Sequence, residues 1–141
     1  KIVVIGRSNL VGLPTALLLL SRDATITICN SKTVDLKYHT TTADILIVCV
    51  GKEKLITKNM IKPGCVIVDV GINQIYVDGR KHLVGDVDFK ECYELASKIS
   101  PVPGGVGPMT VSMLMENTLE SALKLQKIKH KLFQTYLIPK K

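Results

Sequence analysis

The chain has 141 residues, of which 46% are hydrophobic and 22% charged, a composition typical of one globular domain. Its apolar runs are far shorter than the roughly 20 residues that span a membrane, so we expect no membrane association. The net charge of +7 admits a nucleic-acid partner, but only 4% of the residues are aromatic and no helix-turn-helix spacing is visible. We therefore expect no nucleic-acid binding, and we interpret the lysines after residue 123 as a solvated helix face and a basic tail.

The four cysteines (Cys29, Cys49, Cys65 and Cys92) are widely spaced and form no CxxC pair. This spacing predicts neither a metal site nor a disulfide framework, and it favours a reducing compartment. The chain opens at Lys1 inside a strand-like run, without Met, so we expect it to be a segment of a longer protein. We expect a cytoplasmic location, with an organelle as the alternative because a targeting signal would lie upstream.

Short aliphatic runs alternate with helix-like segments along the first half of the chain. Runs rich in β-branched residues predict strands at residues 2–5, 24–29, 44–50 and 65–70. Helices are predicted at residues 11–20 and 35–41. Because the strands are apolar almost throughout, helices are expected to cover both faces of the sheet.

The second half is less regular. Residues 75–84, around Asp78-Gly79, predict either a small hairpin or an irregular segment, and residues 88–96 predict a helix capped by Asp88. A loop dense in Pro and Gly follows at 101–108, and then an amphipathic helix at 110–127. The predicted fold is α/β, a Rossmann-like, doubly wound, mainly parallel sheet with helices on both faces. We expect one domain over residues 1–127 and a C-terminal tail over 128–141.

The first strand runs into a glycine-containing turn that reads GRSNLVG from Gly6 to Gly12. In dinucleotide-binding folds, such a turn brings phosphates to the amides at a helix N-terminus. The GxGxxG spacing is not met because Ser8 and Val11 stand at the later glycine positions, and a plain structural turn is the open alternative. Arg7 and Ser8 favour the phosphate-binding interpretation, since they place a guanidinium and a hydroxyl at the turn.

The end of the second strand indicates which dinucleotide is bound. NAD-preferring sites carry an acidic residue about 20 positions after the glycine turn, where it holds the ribose 2′-hydroxyl. This chain has no acid over residues 28–32. Ser31, Lys32 and Arg7 suit a 2′-phosphate instead, so we predict NADP as cofactor, with a simple polar loop as the alternative.

The Pro/Gly loop carries the most specific signal in the sequence. Residues 103–110 read PGGVGPMT, which resembles the C-terminal signature of the methylenetetrahydrofolate dehydrogenase/cyclohydrolase family. Four further segments agree with that family in order and spacing: VIGRSNLVGLP at 4–14, ADI at 43–45, VDVGIN at 68–73 and VGDVDF at 84–89. The resemblance covers residues 1–126. It departs from the family at Gln74, where Arg is common, and at Asn30, where His is common.

The resemblance implies a cofactor domain in an enzyme that oxidises 5,10-methylenetetrahydrofolate with NADP and hydrolyses the methenyl product to 10-formyltetrahydrofolate. It implies cofactor contacts at Gly6, Arg7, Ser8, Ser31, Val50, Gly51, Ile72 and Thr110. It also implies that Pro103, Gly104 and Gly105 border the folate beside the nicotinamide. The family is typically a homodimer, so a homodimer of the parent protein is expected.

The same resemblance implies that catalysis depends on residues outside this chain. The family's catalytic Lys, and the Tyr of its Tyr-x-x-x-Lys motif, lie in an N-terminal domain that precedes this segment. Only Tyr136 and Lys140 have that spacing here, and they lie in the predicted tail. We expect no catalytic residue in the chain. A non-catalytic, stand-alone dinucleotide-binding module is the alternative function.

Overall fold

The computed structural model describes the backbone of residues 1–136 and the side chains of residues 1–128. Two compact units are present: Lys1–Gly107, and a second that begins at Pro108. Within the described residues the strands are β1 (Ile2–Ile5), β2 (Ile26–Cys29), β3 (Ile45–Val48), β4 (Val66–Asp69), β5 (Asn73–Val77), β6 (Arg80–Val84) and β7 (Lys98–Ile99). The helices are α1 (Gly12–Leu20), α2 (Leu36–Thr40), α3 (Phe89–Tyr93) and α4 (Val106–Tyr136), with a 3-10 turn at Lys58–Met60.

The main sheet is parallel throughout, with strand order β2-β1-β3-β4-β7. The chain winds outward in one direction from β1 to β2 and in the other from β1 through β3 to β7. The order therefore reverses between β1 and β3, and parallel α/β sheets bind ligands in the crevice outside the carboxyl ends at such a point. Ile5 is level with both Cys29 and Val48, so the three strands end together.

Alternate residues of the strands enter two separate cores, which confirms that helices cover both faces. One core joins Val4 and Ile47 to Ala16 of α1. The other joins Val3 and Leu46 of the sheet to Cys92 of α3, with Leu36 of α2 packed against it. Burial on both sides explains why these strands are apolar at nearly every position.

The predicted hairpin is present as a separate two-stranded antiparallel sheet, β5 with β6. Asp78 and Gly79 form its turn with φ of +51° and +72°. Two successive residues with positive φ make a turn whose twist matches that of the flanking strands, and Asp-Gly is one of the favoured pairs. The strand entering the turn begins at Asn73, two residues before the predicted start.

Two helices and one short strand differ most from the prediction. Helix α3 ends at Tyr93 rather than 96, and β7 was not predicted because two residues carry too little pattern. Helix α4 begins at Val106, inside the predicted loop, since a proline in the first turn of a helix loses no intrahelical hydrogen bond. It continues to Tyr136, beyond the predicted end at 127, because no Gly or Pro interrupts residues 109–136.

The second unit, described by itself, is the greater part of α4. Its side chains are exposed up to Ile128, including those of Met109, Leu114 and Leu119. In the described part of the chain, no helix is both long and apolar enough to cross a membrane. Lys140, which completes the Tyr-x-x-x-Lys spacing noted in the sequence, lies outside the described residues.

Asp88 caps α3, as predicted, and also forms an ion pair. One carboxylate oxygen accepts from the Glu91 amide at 3.3 Å and the other lies 3.0 Å from Lys54 Nζ. Burial alone would raise the pKa of Asp88, but the Lys54 ammonium and the Glu91 amide outweigh it and hold that pKa below its ordinary value. The Asp88 carboxylate therefore stabilises the fold above the unfolded-state pKa of about 4, and this contribution is lost as the pH falls through the lower folded-state pKa.

We expect Asp88→Ala to lower the free energy of unfolding by about 1 kcal/mol at pH 7, because an N-cap and an ion pair are lost. Asp88→Asn keeps a capping oxygen and should cost less. Urea denaturation at pH 7 and pH 3 measures both effects, and the difference between Asp88→Asn and the unaltered chain should shrink at pH 3. An equal cost at the two pH values would show that the charge of Asp88 contributes nothing.

Candidate functional site

A cavity of about 610 Å³ lies at the carboxyl ends of β1, β2 and β3, where the strand order reverses. Its volume is within the range of small-molecule and cofactor sites. The turn after β1, the loop after β2 and the loop after β3 form its walls. The lining residues are Ile5, Gly6, Arg7, Ser8, Asn30, Ser31, Thr33, Leu36, Cys49, Val50, Lys52 and Leu55.

Two glycines allow the turn after β1 to pack closely against its neighbours. Gly6 has a φ of +121°, and a Cβ there would lie 2.7 Å from the Cys49 sulfur and overlap the Cys49 carbonyl oxygen. A Cβ on Gly12 would lie 2.6 Å from the Gly6 carbonyl carbon. Gly6 thus lets β1 meet β3, and Gly12 lets α1 meet the turn. The GxGxxG spacing gives no sign of this role for Gly12, because Gly12 lies one position after the last glycine of that spacing.

Ser8 is part of the helix terminus as well as of the cavity wall. Its hydroxyl oxygen accepts from the amides of Val11 at 3.2 Å and Gly12 at 3.3 Å. These two amides lie at the start of α1, so in this structure the Ser8 hydroxyl caps the end of the helix at which a phosphate is expected. The exposed Arg7 beside it brings a positive charge to the cavity wall.

The loop after β2 is held in a tight local network. The Asn30 amide donates to Thr33 Oγ1 at 2.8 Å, and the Lys32 amide donates to Asn30 Oδ1 at 2.9 Å. Ser31, between them, lines the cavity, whereas Lys32 is not among the lining residues. Of the residues assigned to a 2′-phosphate, the structure therefore brings together Arg7 and Ser31. No Asp or Glu is among the lining residues that the structure describes.

Two buried carboxylates organise the strand ends next to the cavity. Asp69, at the end of β4, accepts from the amides of Gly71, Asp86 and Val87 at 2.9–3.0 Å. Burial raises the pKa of Asp69, and these three amides oppose that rise. The Asp86 carboxylate accepts from the amides of the loop after β3, residues 50–52, at 2.7–2.9 Å. In the sequence, the only signals of this cluster are the two family segments in which Asp69 and Asp86 lie, VDVGIN and VGDVDF.

Comparison with known proteins decides the family. A model of the tetrahydrofolate dehydrogenase/cyclohydrolase NAD(P)-binding domain matches residues 1–126. The chain belongs to this family. It is 61% identical over 120 residues to the bifunctional protein FolD of Dechloromonas aromatica, and the match covers 85% of this chain and 41% of that protein. It is 57% identical over 122 residues to the FolD protein of Moorella thermoacetica, where the match covers 86% of this chain and 42% of that protein.

Solved structures of the family agree with the fold. The bifunctional FolD enzyme of Campylobacter jejuni superimposes with a TM-score of 0.82 at 50% identity, covering 87% of this chain and 43% of that one. The Trypanosoma brucei enzyme, crystallised with NADP and an inhibitor, superimposes with a TM-score of 0.79 at 41% identity. The superposition covers 84% of this chain and 41% of that one. The Rossmann-like fold and the family resemblance are both confirmed. The chain spans about two-fifths of the length of these relatives.

The structure distributes the residues implied by the family over three places. Gly6, Arg7, Ser8, Ser31 and Val50 line the cavity. Gly51 and Ile72 follow β3 and β4 at the same edge of the sheet, and Ile72 is 67% exposed. Thr110 belongs to the second unit.

The residues that the sequence analysis expects to border the folate, Pro103, Gly104 and Gly105, follow β7. Gly104 has a φ of +100°, and Gly105 lies so close to the Pro101 carbonyl oxygen that a Cβ would overlap it. Neither residue lines the cavity, nor does Pro103. Because β7 is parallel to the other strands, this loop leaves the sheet at the same edge as the cavity. The sequence analysis did not assign several residues that do line the cavity: Thr33, Leu36, Cys49, Lys52 and Leu55.

Proposed function

We propose that this chain is the NADP-binding domain of an enzyme that oxidises 5,10-methylenetetrahydrofolate to 5,10-methenyltetrahydrofolate and hydrolyses that product to 10-formyltetrahydrofolate. The observation that carries the proposal is the cavity at the reversal of strand order, whose described lining residues include Arg7 and Ser31 and no carboxylate. A guanidinium and a hydroxyl favour a phosphate, and the missing acid removes the usual partner of a free 2′-hydroxyl.

The residues present fit a dinucleotide. Gly6 and Gly12 leave no room for a Cβ, so the backbone of the turn stays where a ligand can approach it. Arg7 would hold the 2′-phosphate with Ser31, and Val50 would contact the cofactor at the end of β3. The bound cofactor supplies the chemistry of the oxidation by accepting a hydride from the folate. The part of this chain is to bind and orient the cofactor, because its described residues offer no nucleophile–base pair.

Pro103, Gly104 and Gly105 are proposed to border the folate, on the basis of the family resemblance and their exit from the sheet at the cavity's edge. A homodimer of the parent protein is proposed from the family resemblance alone. The four free thiols support a reducing, cytoplasmic location. The family match favours the enzyme over the stand-alone binding module.

A titration followed by an activity assay tests the proposal. We expect the chain to bind NADP more tightly than NAD in a calorimeter, and to produce no NADPH from 5,10-methylenetetrahydrofolate. Joined to the part of the D. aromatica protein that precedes the matched segment, it should produce NADPH, because that part would supply the catalytic groups.

The intact D. aromatica protein is the control for the assay. Binding of NAD alone would overturn the choice of cofactor. Turnover by the chain alone would contradict the assignment of the catalytic residues to the preceding domain. The proposed activity would be contradicted by a fusion that folds and binds NADP but neither binds the folate nor turns it over.

A further inference from the structure

The carboxylate of Asp86 fills a concave site made by the backbone of the loop after β3. Oδ2 accepts from the amides of Val50 at 2.7 Å and Gly51 at 2.9 Å, and Oδ1 accepts from the Lys52 amide at 2.8 Å. Oδ1 also accepts from the side-chain amide of Asn73 at 2.8 Å. Successive backbone amides that converge in this way form an anion site. Here the anion is a side chain of the protein, and it is fully buried.

Every partner of the Asp86 carboxylate is a hydrogen-bond donor. Each oxygen receives two donors: the Val50 and Gly51 amides bond to Oδ2, and the Lys52 amide and the Asn73 side chain bond to Oδ1. A neutral amide in the same place would turn an NH2 group toward at least one donor, the Lys52 or the Val50 amide. The remaining bonds would lose the strength that the charge adds, since charge-assisted hydrogen bonds are about twice as strong as neutral ones.

The same carboxylate joins the loops that follow two neighbouring strands. Asn73 and Gly71 flank Ile72 after β4, and Gly71 packs so closely that a Cβ there would lie 2.6 Å from Asp86 Oδ2. The other loop contributes Val50 and Lys52 to the wall of the cavity. Asp86 itself is not among the lining residues. Its effect on a ligand must therefore pass through the loops that it holds.

We propose that Asp86 is a positioning residue for the dinucleotide: its buried carboxylate holds the loop of residues 50–52 in the conformation that forms the cavity wall. This inference rests on the proposed function, because it assumes that the cavity binds NADP. A loop that is correctly placed only part of the time weakens binding in proportion to the lost population. The loop also contains Gly51, with a φ of +75°. A glycine can adopt many other backbone conformations, so the contacts of Asp86 are what hold the loop in this one.

Asp86→Asn tests the proposal in the full chain, because the two side chains have the same shape. We expect NADP to bind about tenfold more weakly, which corresponds to a competent loop population of about one tenth. We also expect faster hydrogen exchange at the amides of Val50, Gly51 and Lys52, with exchange in β3 unchanged. A merely structural role would lower stability without changing exchange at this loop alone.

Asn73→Ala is the matched control, since it removes one donor and leaves the three backbone bonds of Asp86 intact. It should change the dissociation constant for NADP by less than about twofold, because the loop keeps its anchor. Unchanged NADP binding or unchanged loop exchange in a folded Asp86→Asn variant would overturn the proposal. If the unaltered chain binds no NADP, the proposed function fails, and the exchange rates still decide whether Asp86 holds the loop.

Should Asp86→Asn fail to fold, the exchanged pair Asp86→Asn with Asn73→Asp is the second variant. It keeps one negative charge in the cluster and lets the two side chains bond to each other, while the Lys52 amide loses its charged acceptor. We expect faster exchange at Lys52 and weaker NADP binding than in the unaltered chain. Unchanged values for both would overturn the proposal.

Discussion

Replacement of Gly85 with alanine should lower the free energy of unfolding by about 3 kcal/mol or more. The added Cβ would lie 2.6 Å from Asp69 Cγ and would overlap one of its oxygens. Asp69 is only 3% exposed and is held by the amides of Gly71, Asp86 and Val87. The carboxylate cannot move aside without losing at least one of those bonds, and a hydrogen bond to a charged group is worth about 1.5–3 kcal/mol.

Gly107→Ala is the matched control for this substitution. A Cβ on Gly107 would meet nothing within 4 Å, and the residue lies in the first turn of α4. The change should leave stability equal or slightly higher, since alanine favours a helix more than glycine does. Urea denaturation of the three proteins measures the difference. A loss below about 1 kcal/mol for Gly85→Ala would show that the Asp69 cluster can relax around a methyl group.

Arg7→Ala should weaken NADP binding about 30-fold and leave NAD binding nearly unchanged. The Arg7 guanidinium lies in the cavity wall with Ser31, and a charged hydrogen-bonded contact to phosphate is worth about 2 kcal/mol, or about 30-fold in affinity. Only NADP carries the 2′-phosphate, so the selectivity between the two cofactors should fall by the same factor. Ser31→Ala should act in the same direction with a smaller effect, because it removes one neutral donor.

Calorimetric titration of each variant with both cofactors measures this selectivity. Arg22→Ala makes the same change in charge at an exposed position after α1, where the chain returns to the amino-terminal edge of the sheet, away from the cavity. It should alter neither affinity. Equal losses for NADP and NAD in Arg7→Ala would place the guanidinium on a phosphate that both cofactors share, and would remove Arg7 from the recognition of the 2′-phosphate.

Elements that depend on neighbouring residues were predictable from the sequence. The apolar, β-branched runs predicted β1 to β4, because strands covered on both faces need apolar side chains at every position. Asp78-Gly79 predicted the hairpin, and Asp88 predicted the start of α3, since both features depend on local backbone geometry. The glycine turn with Arg7 and Ser8, and Ser31 after the second strand, predicted residues that do line the cavity.

Relations between distant segments appeared only in the tertiary structure. No local pattern reports that Asp86 meets the amides of residues 50–52, more than 30 positions earlier, or that Asp69 meets Gly85. The order of the strands in the sheet also could not be predicted from local patterns, because every parallel pairing of these apolar strands satisfies the same sequence pattern. Two local contacts also became visible only in the structure: the Ser8 hydroxyl accepts from the amides of Val11 and Gly12, and Lys32 is not among the residues that line the cavity. Local propensity thus determined the elements and most of the turn chemistry. The pairing of buried charges with distant amides decided how the loops around the cavity are held, since a buried carboxylate must find donors wherever the fold brings them.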